Sequence, residues 1–354
     1  MQDWTDQPQE IRKGEALDVG RLEPYLQSQL NISAPLNIEQ FPSGFSNLTY
    51  FLKMGDQEMV LRRPPFGANI KGGHDMSREY RVLSKLNPVY DKAPKPLLFC
   101  DDPDILGADF YVMERVRGVI LRANMPTAMY PDVELMSNIA DSLVGAFAEL
   151  HSIDVHAAGL ADFGKSEGYV QRQIEGWNRR YQKAQTDEIA SIDAIAKWLS
   201  EHMPAQSATT LVHNDYRYDN MILDSNDWSK IIAVLDWEMS TLGDPLMDLG
   251  SSLSYWIQAD DPDIMKHLSL SPTYLPGNPT RLEFVRQYEE KSGREVKEAV
   301  FYFVYGLHKL AVILQQIYAR YKLGHTKDER FAGLIHAVDA LGQMAEQAIE
   351  KDSL

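Results

Sequence analysis

The spacing of apolar residues changes once along the chain, near Gly118, and that change limits the folds open to it. Before it, apolar residues come in short runs at 36–41, 48–54, 57–63, 96–100 and 109–116, broken by turn-rich stretches. That is the length and pattern of strands. The runs 48–54 and 57–63 flank Gly55-Asp56, a two-residue hairpin signal. Helical spacing is confined here to 15–30 and 75–86. After Gly118, Leu135, Ile139, Leu143, Phe147 and Leu150 recur at steps of four and three across 132–151. Helices also fit 168–184, 187–203, 245–258, 280–291, 295–323 and 327–350, with only two short strand runs at 221–223 and 231–235. The expectation is an α+β chain in two parts. A disordered 1–14 precedes a small antiparallel-sheet lobe with a helix over 15–117, and a large, mainly helical lobe covers 118–354.

Charge narrows the function. The chain has 354 residues and a formal net charge of −16, which disfavours nucleic-acid binding and a polybasic membrane surface. A single cysteine, Cys100, excludes an intramolecular disulfide framework and a multi-Cys zinc site. The first residues, MQDWTDQPQE, lack an apolar targeting segment. The longest apolar stretch, near Phe301 to Leu314, is interrupted by His308 and Lys309, so no membrane span is expected. The chain is expected to be cytoplasmic, as a monomer or homodimer.

The most informative segment reads LVHNDYRYDNMILDSNDWSKIIAVLDWE. It sets His213, Asp215 and Asn220 in a polar loop between apolar runs, with Asp236 at the end of a strand-like run. Phosphoryl transfer needs a carboxylate to orient the attacking hydroxyl and oxygen ligands to hold Mg²⁺ on the phosphates. The spacing H-x-D-x-x-x-x-N, then a strand, then Asp supplies both. Asp215 is the candidate base, and Asn220 and Asp236 are candidate metal ligands. Arg217 is placed to meet the transferring phosphate. Singly, each residue is more often a turn or cap; the string of four at set distances is the specific signal.

With these residues the sequence resembles the aminoglycoside phosphotransferase and choline kinase superfamily, which shares the bilobal protein-kinase-like fold. More narrowly it is similar to the branch fused to some acyl-CoA dehydrogenases. The resemblance runs from about residue 15 to 350. It implies HNDYRYDN as catalytic loop and DWE in place of the metal motif DFG, with Glu238 adding a water-mediated metal contact. GDPLMDLG matches a further family motif, whose Asp244 and Asp248 cap and brace the loop. The N-terminal part is then expected to bind ATP. PSGFSNLTYF resembles the phosphate-covering loop, with Gly44 permitting close approach and Ser46 and Asn47 donating to phosphates. Arg62 stands where a kinase presents lysine, with Glu79 as its partner. In YVMERVRG, the backbone at Glu114 and Val116 is expected to bond adenine.

Gly159 to Ser166, GLADFGKS, matches the P-loop pattern G-x-x-x-x-G-K-[ST]. A P-loop must follow a strand and open a helix, and the preceding ELHSIDVHAA reads as a helix end and polar loop. It is therefore set aside. His151 reads as a satisfied buried histidine and His213 as a loop-orienting one. GDPLMDLG follows Asp236 too closely for a long activation segment, and no Ala-Pro-Glu motif appears. The acceptor is therefore expected to be a small-molecule hydroxyl, held by helices after 255. The expected activity is Mg²⁺-dependent transfer of the γ-phosphate of ATP to that hydroxyl, like that of the aminoglycoside phosphotransferases, with a hydroxylated acyl thioester or related metabolite as the acceptor that the branch resemblance implies. The alternative is a catalytically silent, nucleotide-binding regulator, which Arg62 favours and the intact Asp215, Asn220 and Asp236 oppose.

Overall fold

The computed structural model describes residues 6–42, 47–67 and 75–354. Its strands are β1 (Leu36–Gln40), β2 (Leu48–Met54), β3 (Gln57–Arg63), β4 (Pro96–Cys100), β5 (Phe110–Glu114), β6 (Thr210–Val212), β7 (Met221–Leu223), β8 (Ile231–Val234) and β9 (Thr241–Gly243). Its helices are α1 (Val19–Leu30), α2 (Met76–Leu86), α3 (Pro103–Leu106), α4 (Val133–His151), α5 (Tyr169–Ala184), α6 (Ala190–Glu201), α7 (Pro245–Tyr255), α8 (Asp263–Leu268), α9 (Arg281–Ser292), α10 (Ala299–Lys322) and α11 (Leu334–Lys351). The chain separates into two compact units. One comprises Met1–Ile120, His156–Leu160 and Asn220–Met239; the other comprises Leu121–Val155, Ala161–Asp219 and Ser240–Leu354. The first division falls near the change of periodicity. Residues 220–239, placed with the helical part on sequence, group instead with the sheet. The reason is backbone pairing: Val119 bridges Leu223, and the Val234 N–H donates to Lys92 O at 2.8 Å.

In the first unit five antiparallel strands run in the order β1-β2-β3-β5-β4. Strand alternation sorts their side chains to two faces. Leu48, Tyr50, Leu52 and Met54 of β2, Met59 and Leu61 of β3, and Phe110 and Val112 of β5 form one core with Leu22 and Leu26 of α1. The alternate residues face away from that core, so Arg62, Tyr111 and Met113 share the opposite face. A one-residue slip of β3 would send Arg62 to the wrong face. The segment before α1 is not disordered from Asp6 on, contrary to expectation. Asp6 N–H donates to Gly118 O at 3.1 Å, and Gln9 and Gln40 exchange backbone hydrogen bonds of 2.8 and 2.9 Å. Gly118 allows the crossing it makes here: a Cβ would collide with Ile222 and the Leu223 carbonyl.

The second unit is mainly helical, with β6 and β9 as a short antiparallel pair. Helix α10 is its centre and packs on α5, α6, α7 and α11. It has 24 residues and its most apolar 18-residue window has a mean hydropathy of 1.3, so by length and composition alone it is long and apolar enough to cross a membrane. The sequence-based expectation that this stretch is too short and too polar is thus corrected. Of its most apolar window, 67% is buried within the structure. Gly250 of α7 and Gly306 of α10 lie against each other, and a Cβ on either would strike the other helix's backbone. That close approach brings side chains one turn further along α10 within reach of α7.

Candidate active site

The sheet unit gathers one group of candidate residues. Arg62 donates through Nη1 to Glu79 Oε1 at 2.5 Å and through Nη2 to Asp236 Oδ1 at 2.9 Å, and Glu238 Oε2 lies 3.8 Å away. Asn47 donates from Nδ2 to Glu238 Oε2 at 2.6 Å. The Arg62 and Glu79 side chains are 9% and 1% exposed, so this is no loose surface pair. Burial pushes the Glu79 carboxyl up to about 7, and the Arg62 guanidinium pulls against it. Glu79 gets there because α2 starts at its Asp75 cap, whose side chain accepts from Arg78 N, and turns Glu79, Val82, Leu83 and Leu86 inward. Gly44 and Ser46 lie outside the described residues.

Asn220 and Asp236 sit at one end of the β7–β8 ribbon. Met221 pairs with Val234, and the Leu235 N–H donates to Asn220 O at 2.8 Å. Asp236 follows at once with φ 66°. A left-handed aspartate is uncommon and costs backbone energy, so the surrounding structure must hold it there. The donors of Asn220, Asp236 and Glu238 are amide and carboxylate oxygens, the chemistry a hard cation takes. Among the described residues no three His, Cys, Asp or Glu side chains come together as a metal cluster. The oxygen chemistry of Asn220, Asp236 and Glu238 is compatible with Mg²⁺.

At the end of β5 two successive backbone amides are taken by neighbouring segments. Glu114 N–H donates to Lys95 O at 2.9 Å and Arg115 N–H to Glu58 O at 3.3 Å. Among the described residues the Val116 N–H meets no backbone acceptor. Val116 also packs on a small apolar cluster of Ile120, Ile222 and Ala233.

The helical unit holds the other group. Arg217 donates through Nη1 to Asp215 Oδ1 and through Nε to Asp219 Oδ1, both at 2.7 Å. Its guanidinium lies 4.7 Å over the Tyr255 ring. Burial opposes its charge, but Asp215 and Asp219 outweigh burial and hold the proton firmly. The cation expected at a phosphate is here shared between two carboxylates. Behind the loop, Asp248 Oδ2 accepts from His213 N at 2.6 Å and Oδ1 from Asn214 N at 2.7 Å. His151 lies between Asp248, 3.1 Å from Nε2, and the Tyr288 hydroxyl, 2.7 Å from Nδ1. Asp244 caps α7 and accepts from the Ser207 N–H at 2.6 Å. The Asp215 N–H donates to His213 Nδ1 at 3.3 Å.

Asp219, Tyr255, Tyr169 and Lys309 belong to this group and carried no role on sequence. Asp219 could have been found, since it stands inside the motif beside Asn220. Lys309 gave a signal too, as a cation within an apolar run. GLADFGKS is a series of turns with no strand leading in; α5 opens only at Tyr169, and Lys165 is exposed.

The profile of the Phosphotransferase enzyme family matches residues 37–298. The chain is similar to acyl-CoA dehydrogenase family member 11 of Rattus norvegicus, 34% identical over 336 residues that cover 92% of this chain and 42% of that protein. It spans less than half the length of the curated relatives it matches. Among solved structures it is similar to a Ralstonia eutropha protein proposed as an aminoglycoside phosphotransferase, with a TM-score of 0.80 and 30% identity over 95% of this chain and 99% of that one. A choline kinase of Cryptosporidium parvum shares the fold at a TM-score of 0.62 and 13% identity, over 95% and 97% of the two chains. The α+β architecture is thus the kinase-like one expected.

Proposed function

The chain belongs to the phosphotransferase enzyme family, and from that premise we propose that it moves the γ-phosphoryl group of ATP to a hydroxyl of a small molecule. The observation that carries this reading is the buried bridge from Arg62 to Glu79 and Asp236. A buried guanidinium held by two carboxylates is costly for stability alone. It is well suited to presenting fixed positive charge to phosphates.

The steps fall to named residues. The Asp215 carboxylate takes the proton of the acceptor hydroxyl as its oxygen bonds to the γ-phosphorus. The bond from that phosphorus to the β,γ-bridging oxygen breaks, and ADP leaves. Arg62 and Asn47 bind the phosphates, and the Glu114 carbonyl and Val116 N–H bind adenine. Asn220 and Asp236, with Glu238 behind them, would hold Mg²⁺, which supplies charge neutralisation on the phosphates when bound. Arg217 keeps the Asp215 carboxylate oriented until substrate enters. The acceptor reading extends to a hydroxylated acyl thioester or a related metabolite. Its support is the acyl-CoA dehydrogenase name of the longer relatives. We place the activity in the cytoplasm.

ATP consumption should be measured against a library of hydroxylated acceptors, from acyl thioesters to aminoglycosides, with Asp215→Asn beside the parent. Turnover that requires an acceptor and falls about 10²-fold or more in Asp215→Asn is the expected result. Tight ATP binding with no turnover on any acceptor would favour the silent regulator.

A further inference from the structure

Lys309 lies in the middle of α10, only 4% exposed, in an unbroken run of twelve buried residues, Phe301 to Val312. Its ammonium makes its hydrogen bonds outside its own helix. Nζ donates to the Asn214 carbonyl at 2.7 Å and to Ser251 Oγ at 3.2 Å. Burial pulls Lys309 down to about 8, while Asp215 and Asp248 pull it up. A buried ammonium is expensive, and a leucine or methionine would serve packing better.

What the ammonium grips is telling. Asn214 has φ 66° and directly precedes Asp215. Its N–H is held by Asp248 at 2.7 Å, its side-chain oxygen by the Tyr169 hydroxyl at 3.1 Å, and its carbonyl by Lys309. The carbonyl of Asn214 and the N–H of Asp215 are two ends of one planar trans peptide and point in opposite directions. Lys309 takes one end and His213 Nδ1 takes the other. The tilt of that plane sets where the Asp215 side chain leaves the backbone.

We propose that Lys309 is a positioning residue for Asp215, a cation buried in α10 to fix the peptide plane that aims the candidate base. This rests on the reading of Asp215 as base. A small misplacement of a reacting group costs up to about 10²-fold in rate. Without Lys309 the plane is free to rock and nucleotide contacts are untouched, so kcat falls and KM for ATP does not.

The test compares Lys309→Met, which keeps volume but loses the donors, with Lys309→Arg, which keeps charge and donors. Two readouts are taken on the whole chain. In Lys309→Met, amide exchange at 213–215 should quicken about tenfold or more while the interior of α10 stays protected. ATP hydrolysis to water, the probe acceptor here, should lose about tenfold or more in kcat with KM for ATP within about twofold, and Lys309→Arg should recover most of it. Unchanged exchange at 213–215, or an equal kcat loss in both variants, overturns the proposal. So does a Lys309→Met chain that does not fold, since Lys309 is then a stability residue. If the parent hydrolyses no ATP without an acceptor, the exchange result at 213–215 alone decides the case for Lys309, and the phosphotransfer reading is judged separately by the acceptor library.

Discussion

The Arg62 guanidinium and the Asp236 carboxylate meet at 2.9 Å, although 174 residues separate them in sequence. One comes from the third strand of the sheet and the other from the end of the β7–β8 ribbon. Through the same guanidinium α2 is tied in by Glu79. One cation thus couples β3 and α2 to a left-handed aspartate.

Removing that cation should have two separable effects. Arg62→Ala is expected to weaken ATP about ten- to hundredfold, the worth of a charged hydrogen bond to phosphate. It should also cost about 3 kcal/mol of stability, since Glu79 is left buried beside its lost partner. Adding Glu79→Gln should restore much of the thermal midpoint and none of the ATP affinity. Lys165→Ala, at the P-loop-like string, should move ATP binding by less than about 0.5 kcal/mol. The opposite ranking of Arg62 and Lys165 in an ATP titration would overturn the placement of the nucleotide on the sheet unit.

Asn220→Ala and Asp236→Asn should weaken Mg²⁺-ATP about tenfold more than metal-free ATP, because their oxygens serve the metal. Asparagine at 236 keeps a side chain that tolerates positive φ, so the loss reports on ligation and not on strain. Nucleotide titrations with and without Mg²⁺ check this. Equal losses in both would make the two residues structural.

The Asp248 carboxylate, fully buried, should be a weak point for the whole helical unit. Burial raises its pKa, but hydrogen bonds from His151 and the His213 amide prevail and hold the carboxyl below its usual range. Asp248→Asn turns an NH₂ toward donors that need an acceptor. A loss of about 3 kcal/mol in urea unfolding at pH 7 is expected. A loss under about 0.5 kcal/mol, the scale of an ordinary surface change, would show the brace to be dispensable.

How much of this could be read from sequence follows from separation and length. β2, β3, β4 and β7 run where the short apolar runs put them; β7 is buried throughout and shows as an unbroken apolar triplet. The ends of α1 and α11 were misjudged: Asp18 and Gly333 begin those helices, later than periodicity suggested. β6, β9 and α8 are three to six residues long, too short to show a period. Arg62 and Glu79 were legible because each lies on a regular element at a motif position. Their link to Asp236 depends on where the β7–β8 ribbon returns, and no local pattern encodes that. Lys309 reaches Asn214 across 95 residues. In sequence it reads only as a break in an apolar run.

His308, beside Lys309, should write an acid limb into stability. It is buried in α10, with Nε2 2.8 Å from Asn178 Oδ1, and Nδ1 has no partner among the described residues. Burial lowers its pKa to about 4 from an ordinary 6.5. Between those values the unfolded chain binds a proton that the folded chain refuses, so stability must fall as pH drops through that window. From pH 7 to 5 this one group should cost about 2 kcal/mol. His308→Gln keeps a donor for Asn178 and cannot take the proton. Its urea midpoint should therefore fall less than the parent's over the same interval. Parallel pH profiles for the two chains would remove His308 from the account and leave the acid limb to the carboxylates.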